Sequence, residues 1–112
     1  MRPLIVAAFL SLAACSPAPT QLSCGDIMQP PVAMDHAPAT PFMVIEETAE
    51  LVAQGCADMG LPTGRWACRR GIFITMPYID IRTSVLQWVC LLRHEWGHIN
   101  GWPGDHSGGR MT

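Results

Sequence analysis

The sequence contains no lysine: its seven basic residues are all arginines. They form no stripe, charged residues make up only 14% of the chain, and the formal net charge is −2. Such a chain lacks the electrostatic footprint that holds a phosphate backbone, so no nucleic-acid partner is expected. Arg69-Arg70, the only adjacent basic pair, fits a solvated turn. No Cys-x-x-Cys pair occurs, which argues against a cysteine zinc knuckle and a thioredoxin-type redox site. There is no internal repeat. The apolar stretch Leu4 to Leu12 is shorter than the roughly 20 residues a helix needs to cross a bilayer. What remains is a 112-residue chain, 49% hydrophobic, which is enough for one globular domain.

Met1-Arg2 and the apolar stretch after it read as a targeting segment, ending in Leu12-Ala13-Ala14-Cys15. That tetrapeptide resembles the lipobox of bacterial lipoproteins. The resemblance implies that residues 1–14 are a signal peptide and that Cys15 is lipidated. With Ser16 next, it also implies a membrane anchor on the periplasmic face of the outer membrane. In an oxidising compartment the remaining Cys24, Cys56, Cys68 and Cys90 are expected to form two disulfides. Three pairings are open, and each bridge contributes about 2–4 kcal/mol.

Residues 15–39 are rich in proline and read as a tether followed by an irregular arm, with Cys24 placed to staple the arm to the body. The domain proper is expected over 40–112. Thr40-Pro41 reads as a helix start, followed by Glu46 and Glu47. Ile45, Ala49, Val52, Cys56 and Met59 make one apolar face, ended by Gly60 and Pro62. Gly71 to Met76 reads as a strand, with Arg65 to Cys68 pairing to it through a turn at Arg69-Arg70-Gly71. Ser84 and Gln87 match a capping box for a last helix with the stripe Val85, Val89, Leu92, Trp96 and Ile99. Asn100-Gly101 closes it, and Pro103 prevents continuation. The expected fold class is α+β: a scaffold helix, a short antiparallel or mixed sheet and a C-terminal metal-bearing helix.

Chemistry concentrates on that helix. His94 and His98 are four residues apart, offset by only about 40° around the axis, so both imidazoles can approach one metal ion. Glu95 lies beside the first of them, placed to act as general base on a zinc-bound water. His94, Glu95 and His98 make the chain resemble the zincin (H-E-x-x-H) zinc metallopeptidases, and Trp96 and Gly97 suit that family's intervening positions. Asn100 departs from it, standing where the family prefers an apolar or small residue. The resemblance covers roughly Leu91 to His106. It implies a zinc cofactor, a peptide or protein substrate, and an edge strand holding that substrate, for which Gly71 to Met76 is the candidate.

The third ligand divides the zincins. No glutamate follows Glu95, which removes the glutamate-liganded class unless Glu46 or Glu47 is brought round. Gly101 matches the glycine of the extended motif, but Gly104 stands at its ligand position and Asp105 and His106 follow. His106 is favoured because imidazole is the commoner zinc ligand, with Asp105 the alternative. Tyr78 is a candidate donor to a tetrahedral oxyanion. Arg82 is read as pairing with a substrate carboxylate or with Asp80. His36 reads as a surface histidine. Trp66, Trp88, Trp96 and Trp102 are expected to pack the core, with Trp102 placed to floor a substrate pocket. The expected function is a zinc-dependent hydrolase, a peptidase at the bacterial cell envelope. The alternative is a non-catalytic envelope lipoprotein, a secretion or conjugation accessory, braced by a structural zinc.

Overall fold

Phe42-Met43-Val44-Ile45 is a run of bulky and β-branched side chains, which fit a pleated surface better than a helix. In the computed structural model, which describes residues 23–61 and 66–112, this run forms strand β1 (Met43–Glu47) and not the start of a helix. The cap is Thr48, not Thr40: its hydroxyl accepts the Leu51 N–H at 3.2 Å, and helix α1 runs Ala49–Asp58. The helical spacing holds from Ala49 through Cys56. Ile45 falls in the same phase because a strand residue four positions ahead of a helix is indistinguishable by periodicity. Glu46 and Glu47 therefore belong to a strand.

Strand β2 (Cys68–Arg70) and strand β3 (Phe73–Pro77) form the expected hairpin, but Arg69 and Arg70 lie in the strand. The turn is at Gly71, whose φ of +60° needs a residue without a Cβ. Cys68 faces Thr75 across the antiparallel pair, and β1 pairs with β3 in parallel, Val44 opposite Ile74. The sheet order is β1-β3-β2. The segment expected at an edge is thus the central strand. Both its hydrogen-bonding sides are occupied, so it cannot accept an added strand; β1 and β2 are the edges. The result is an α+β domain with a three-stranded mixed sheet and two helices.

Helix α2 (Val85–Ile99) begins with the predicted capping box: Ser84 Oγ accepts the Gln87 N–H at 3.2 Å, and Gln87 Oε1 accepts the Ser84 N–H at 2.9 Å. It packs Cys90 and Leu91 against Ile74, Met76 and Ala67, with Trp88 and Trp96 at the margin. A second cluster joins Val52 and Cys56 of α1 to Cys68. Two disulfides settle the open pairing: Cys24–Cys90 and Cys56–Cys68. The first ties the arm to α2. From Ser23 onward the arm is built into the domain, since Gln29 pairs with Arg110 of the tail through both backbone hydrogen bonds, 2.7 and 2.8 Å. Among the described residues no helix is long and apolar enough to cross a membrane. Cys15, residues 1–14 that read as a targeting segment, Pro62 and Arg65 lie outside them.

Candidate metal centre

Two of the imidazoles owe their place to α2, and the third to the way that helix ends. The Gly101 N–H reaches the His98 carbonyl (3.2 Å) and the Trp102 N–H reaches that of Gly97 (2.8 Å), with Gly101 at φ +103°. This paired closure turns the chain sharply at the helix end. A second turn, His106 N–H to Pro103 carbonyl at 2.9 Å, carries His106 back over His94 and His98. His106 itself sits at φ +61°, a left-handed conformation uncommon for a residue with a side chain. That backbone aims its ring at the other two.

The three Nε2 atoms form a nearly equilateral triangle: 3.3 Å between His94 and His98, 3.2 Å between His98 and His106, and 3.2 Å between His106 and His94. Nitrogens bonded to a tetrahedral zinc at its usual distance stand about 3.3–3.4 Å apart, so the donor set and its spacing fit such an ion. His94 Nδ1 lies 2.6 Å from the Met28 carbonyl and His98 Nδ1 lies 2.8 Å from the Trp102 carbonyl. A carbonyl only accepts, so each Nδ1 carries the proton and each Nε2 turns a lone pair inward. Lone pairs facing each other at this range are what a shared cation resolves. The group His94, His98, His106 can hold a metal ion.

Trp102 backs the group. It is 2% exposed, stacked on His98 (centroids 4.7 Å, interplanar angle 14°), with edge contacts at 4.9 Å to His94 and to His106. Its Nε1 donates to the Ser107 carbonyl at 2.9 Å, fixing the loop that carries His106. Trp102 is therefore the closed rear wall of the triad and lines none of the cavities described next. Glu95, 4% exposed, lies between two hollows that both reach His106. One, of about 350 Å³, is lined by Ile27, Met28, Trp66, Ala67, Leu91 and His94. The other, of about 140 Å³, is lined by Leu61, Cys68, Arg69, His98 and Gly104. Glu95 and His106 line both hollows, His94 the larger and His98 the smaller, with Cys68 and Arg69 of β2 beside the smaller one.

Other candidates fall elsewhere. Asp105 is exposed; its carboxylate accepts the Ser107 N–H at 3.0 Å, and this contact holds its carboxyl below the usual aspartate range. It does not join the histidines. Tyr78 is half-exposed beyond β3 and lines neither hollow, because the turn after Pro77 carries it outward. Arg82 pairs with Glu50 (2.5 Å) and Asp80 (3.5 Å), the plainer of its two readings. Trp66 is half-exposed at the rim of the larger hollow and is not a core residue. The ring nitrogens of His36 lie against the Ala33 and Ala37 carbonyls, and His36 is not part of the histidine group.

Residues without a sequence signal complete the site. The buried Gln29 side chain donates to the carbonyls of Ile27 (3.1 Å), Met28 (3.3 Å) and Cys90 (3.1 Å), locking the arm's bend onto α2. Asn100 donates to the carbonyls of Met34 (3.0 Å) and His36 (2.9 Å), which explains an amide at that position. Asp35 bridges Arg93, through Nε at 3.0 Å and also through Nη2, and Arg110 at 2.5 Å. The hydrogen bond from Arg93 is the main reason its carboxyl sits below the usual range. Compared with known proteins, the chain is matched by no family model, no curated protein and no solved structure.

Proposed function

We propose that this chain is a zinc-dependent hydrolase, a peptidase of the zincin kind, anchored at the bacterial cell envelope through Cys15. The observation that carries the reading is the convergence of three imidazole Nε2 atoms at 3.2–3.3 Å, with the buried Glu95 lining both of the hollows that reach them. His94, His98 and His106 would hold the ion, two of them oriented through their Nδ1 protons. Zinc bound there supplies a Lewis acid and lowers the pKa of a water to roughly 7. Glu95 takes the proton from the attacking water and delivers it to the departing amine. Trp102 keeps solvent from the rear of the imidazoles. An extended substrate would lie along the free edge of β2, where Cys68 and Arg69 line the smaller hollow.

The rival role, a structural zinc in a non-catalytic lipoprotein, calls for a fourth protein ligand. Asp105, the nearest candidate in sequence, is engaged with Ser107, which favours a site open to substrate. The test is zinc content in the wild-type chain, His98→Ala and His106→Ala, together with peptidase activity of Glu95→Gln. One zinc per chain, lost in both histidine variants, is expected. Glu95→Gln should keep the metal and lose about 10²–10⁴-fold in activity. Zinc retained by His106→Ala removes the proposed ligand set; full activity in Glu95→Gln removes the catalytic role.

A further inference from the structure

The connector between β3 and α2 exposes large aliphatic residues beside its charges. Its charged residues, also exposed, are paired within the molecule. The Asp80 carboxylate accepts the N–H groups of Arg82 (2.7 Å) and Thr83 (3.0 Å), and the Asp80 N–H donates to the Thr83 carbonyl (3.1 Å). Arg82 reaches across to Glu50 on α1. The aliphatic residues point outward as well: Ile81 is 100% exposed, Ile79 is 48% exposed, and Tyr78 and Val85 beside them are exposed too. A surface loop ordinarily presents its polar residues and hides its large aliphatic ones. Here a side-chain-to-backbone turn of the kind aspartate favours closes the loop, so the exposure of Ile81 is built into a defined structure. Isoleucines at a tip, with a tyrosine at their base, match what is favoured where protein meets the acyl boundary of a bilayer.

The attachment of the arm indicates which apolar medium lies at hand. Cys24 is bonded to Cys90, which is five residues, or about 7.5 Å of helix, from Val85. Nine residue steps separate Cys15 from Cys24, and nine steps span no more than about 30 Å in any conformation. A lipid on Cys15 keeps Cys24 and the disulfide to α2 within about 30 Å of the membrane, with Val85 and the loop before it roughly one further 7.5 Å span of helix away.

We propose that Tyr78 to Arg82 is a membrane-contact loop, with Ile79 and Ile81 entering the bilayer to which Cys15 is attached. This rests on the reading of Cys15 as lipidated. It adds an orientation, since the histidine triad then stands roughly 14–20 Å along α2 from the contact. The opening beside Glu95 would be offered to substrates outside the bilayer surface.

The test uses the full chain bearing Ile81→Cys, labelled with a nitroxide, in vesicles of phosphatidylethanolamine and phosphatidylglycerol. The cysteines other than Cys15 are disulfide-bonded, so in a chain lipidated at Cys15 the new thiol alone takes the label. The reference is Met43→Cys on the exposed outer strand. Relative to that reference, access of a water-soluble nickel chelate to residue 81 should fall about tenfold, the partition expected from burying one isoleucine. Ile79→Asp should abolish this protection. Amide exchange across 78–83 in the unsubstituted chain, slowed by vesicles, reads the same contact without an added thiol. A label at 81 as open to the chelate as at 43 overturns the proposal, and so does protection that persists without vesicles, which means contact with protein. The mass of the residue at Cys15 is read separately. A lipidated chain with an open loop sinks this proposal alone; an unlipidated chain whose loop is protected on vesicles sinks the anchor alone.

Discussion

At the histidine end of the molecule, segments distant in sequence hold one another through single, specific contacts: the Met28 carbonyl on His94, Gln29 on the Cys90 carbonyl, Asp35 between Arg93 and Arg110. At the sheet end, a strand, a capped helix and a hairpin follow their own local patterns, and the ion pair joining α1 to the connector, Arg82–Glu50, is solvent-exposed. Tolerance to substitution differs accordingly between the two ends. Pattern-driven elements absorb change, whereas a triangle of nitrogens about 3 Å on a side depends on backbone groups that no neighbour can replace.

Cys24–Cys90 closes 66 residues of sequence and Cys56–Cys68 closes 12. Loop-closure entropy assigns these about 4 and about 3 kcal/mol. Replacing both cysteines of a pair by serine should therefore destabilise by similar amounts in denaturant unfolding. Only loss of Cys24–Cys90, which releases the Met28 carbonyl from His94, should also weaken zinc binding, by about 10–100-fold. Equal zinc affinity in the two double variants would mean that the arm does not orient His94.

Two helical glycines provide a finer contrast. A Cβ on Gly97 would overlap the buried Pro30 ring and come within 3.0 Å of Trp102, whereas a Cβ on Gly55 in α1 meets nothing within 4 Å. Gly97→Ala should cost about 1–3 kcal/mol through overpacking. Gly55→Ala should gain about 0.5–1 kcal/mol from helix propensity. Thermal unfolding of both variants checks this, and a stabilising Gly97→Ala would show that the arm yields.

The smallest effect is acid sensitivity. The side chain of Asp35 is 10% exposed and its carboxyl is held below the ordinary 3.8, first by the hydrogen bond from Arg93. Its contribution is fully present above the unfolded value and is lost as pH falls through the lower folded value. Below about pH 4 the wild type should lose stability that Asp35→Asn has already lost, so their unfolding midpoints converge on acidification. The solvated Glu50, although also lowered by Arg82, should leave that acid limb unchanged as Glu50→Gln. Midpoints that stay parallel down to low pH would show that the Asp35 bridges add nothing.

Much of this was legible along the chain. The capping box, the glycine closure and the spacing of His94 and His98 are local features, set by residues within a few positions of one another, and they appear as read. The even cysteine count pointed to two disulfides, and the class of fold followed from the element types. What misled was a phase shared by two structures: Ile45 fits α1's stripe yet lies in β1, because pairing with β3 outweighs helical periodicity. Strand order was hidden for the same reason, as it depends on which edges meet.

That one helix carries His94, Glu95 and His98 on neighbouring turns follows from their spacing alone, since helical geometry needs no more. Only the tertiary structure decided that His106 and not Asp105 joins them, that Trp102 stands behind the triad, and that β3 is the central strand. Those outcomes depend on backbone carbonyls, a left-handed residue and a disulfide between residues 66 positions apart. Main-chain groups are the same at every position, so their roles appear only once folding has brought distant segments together.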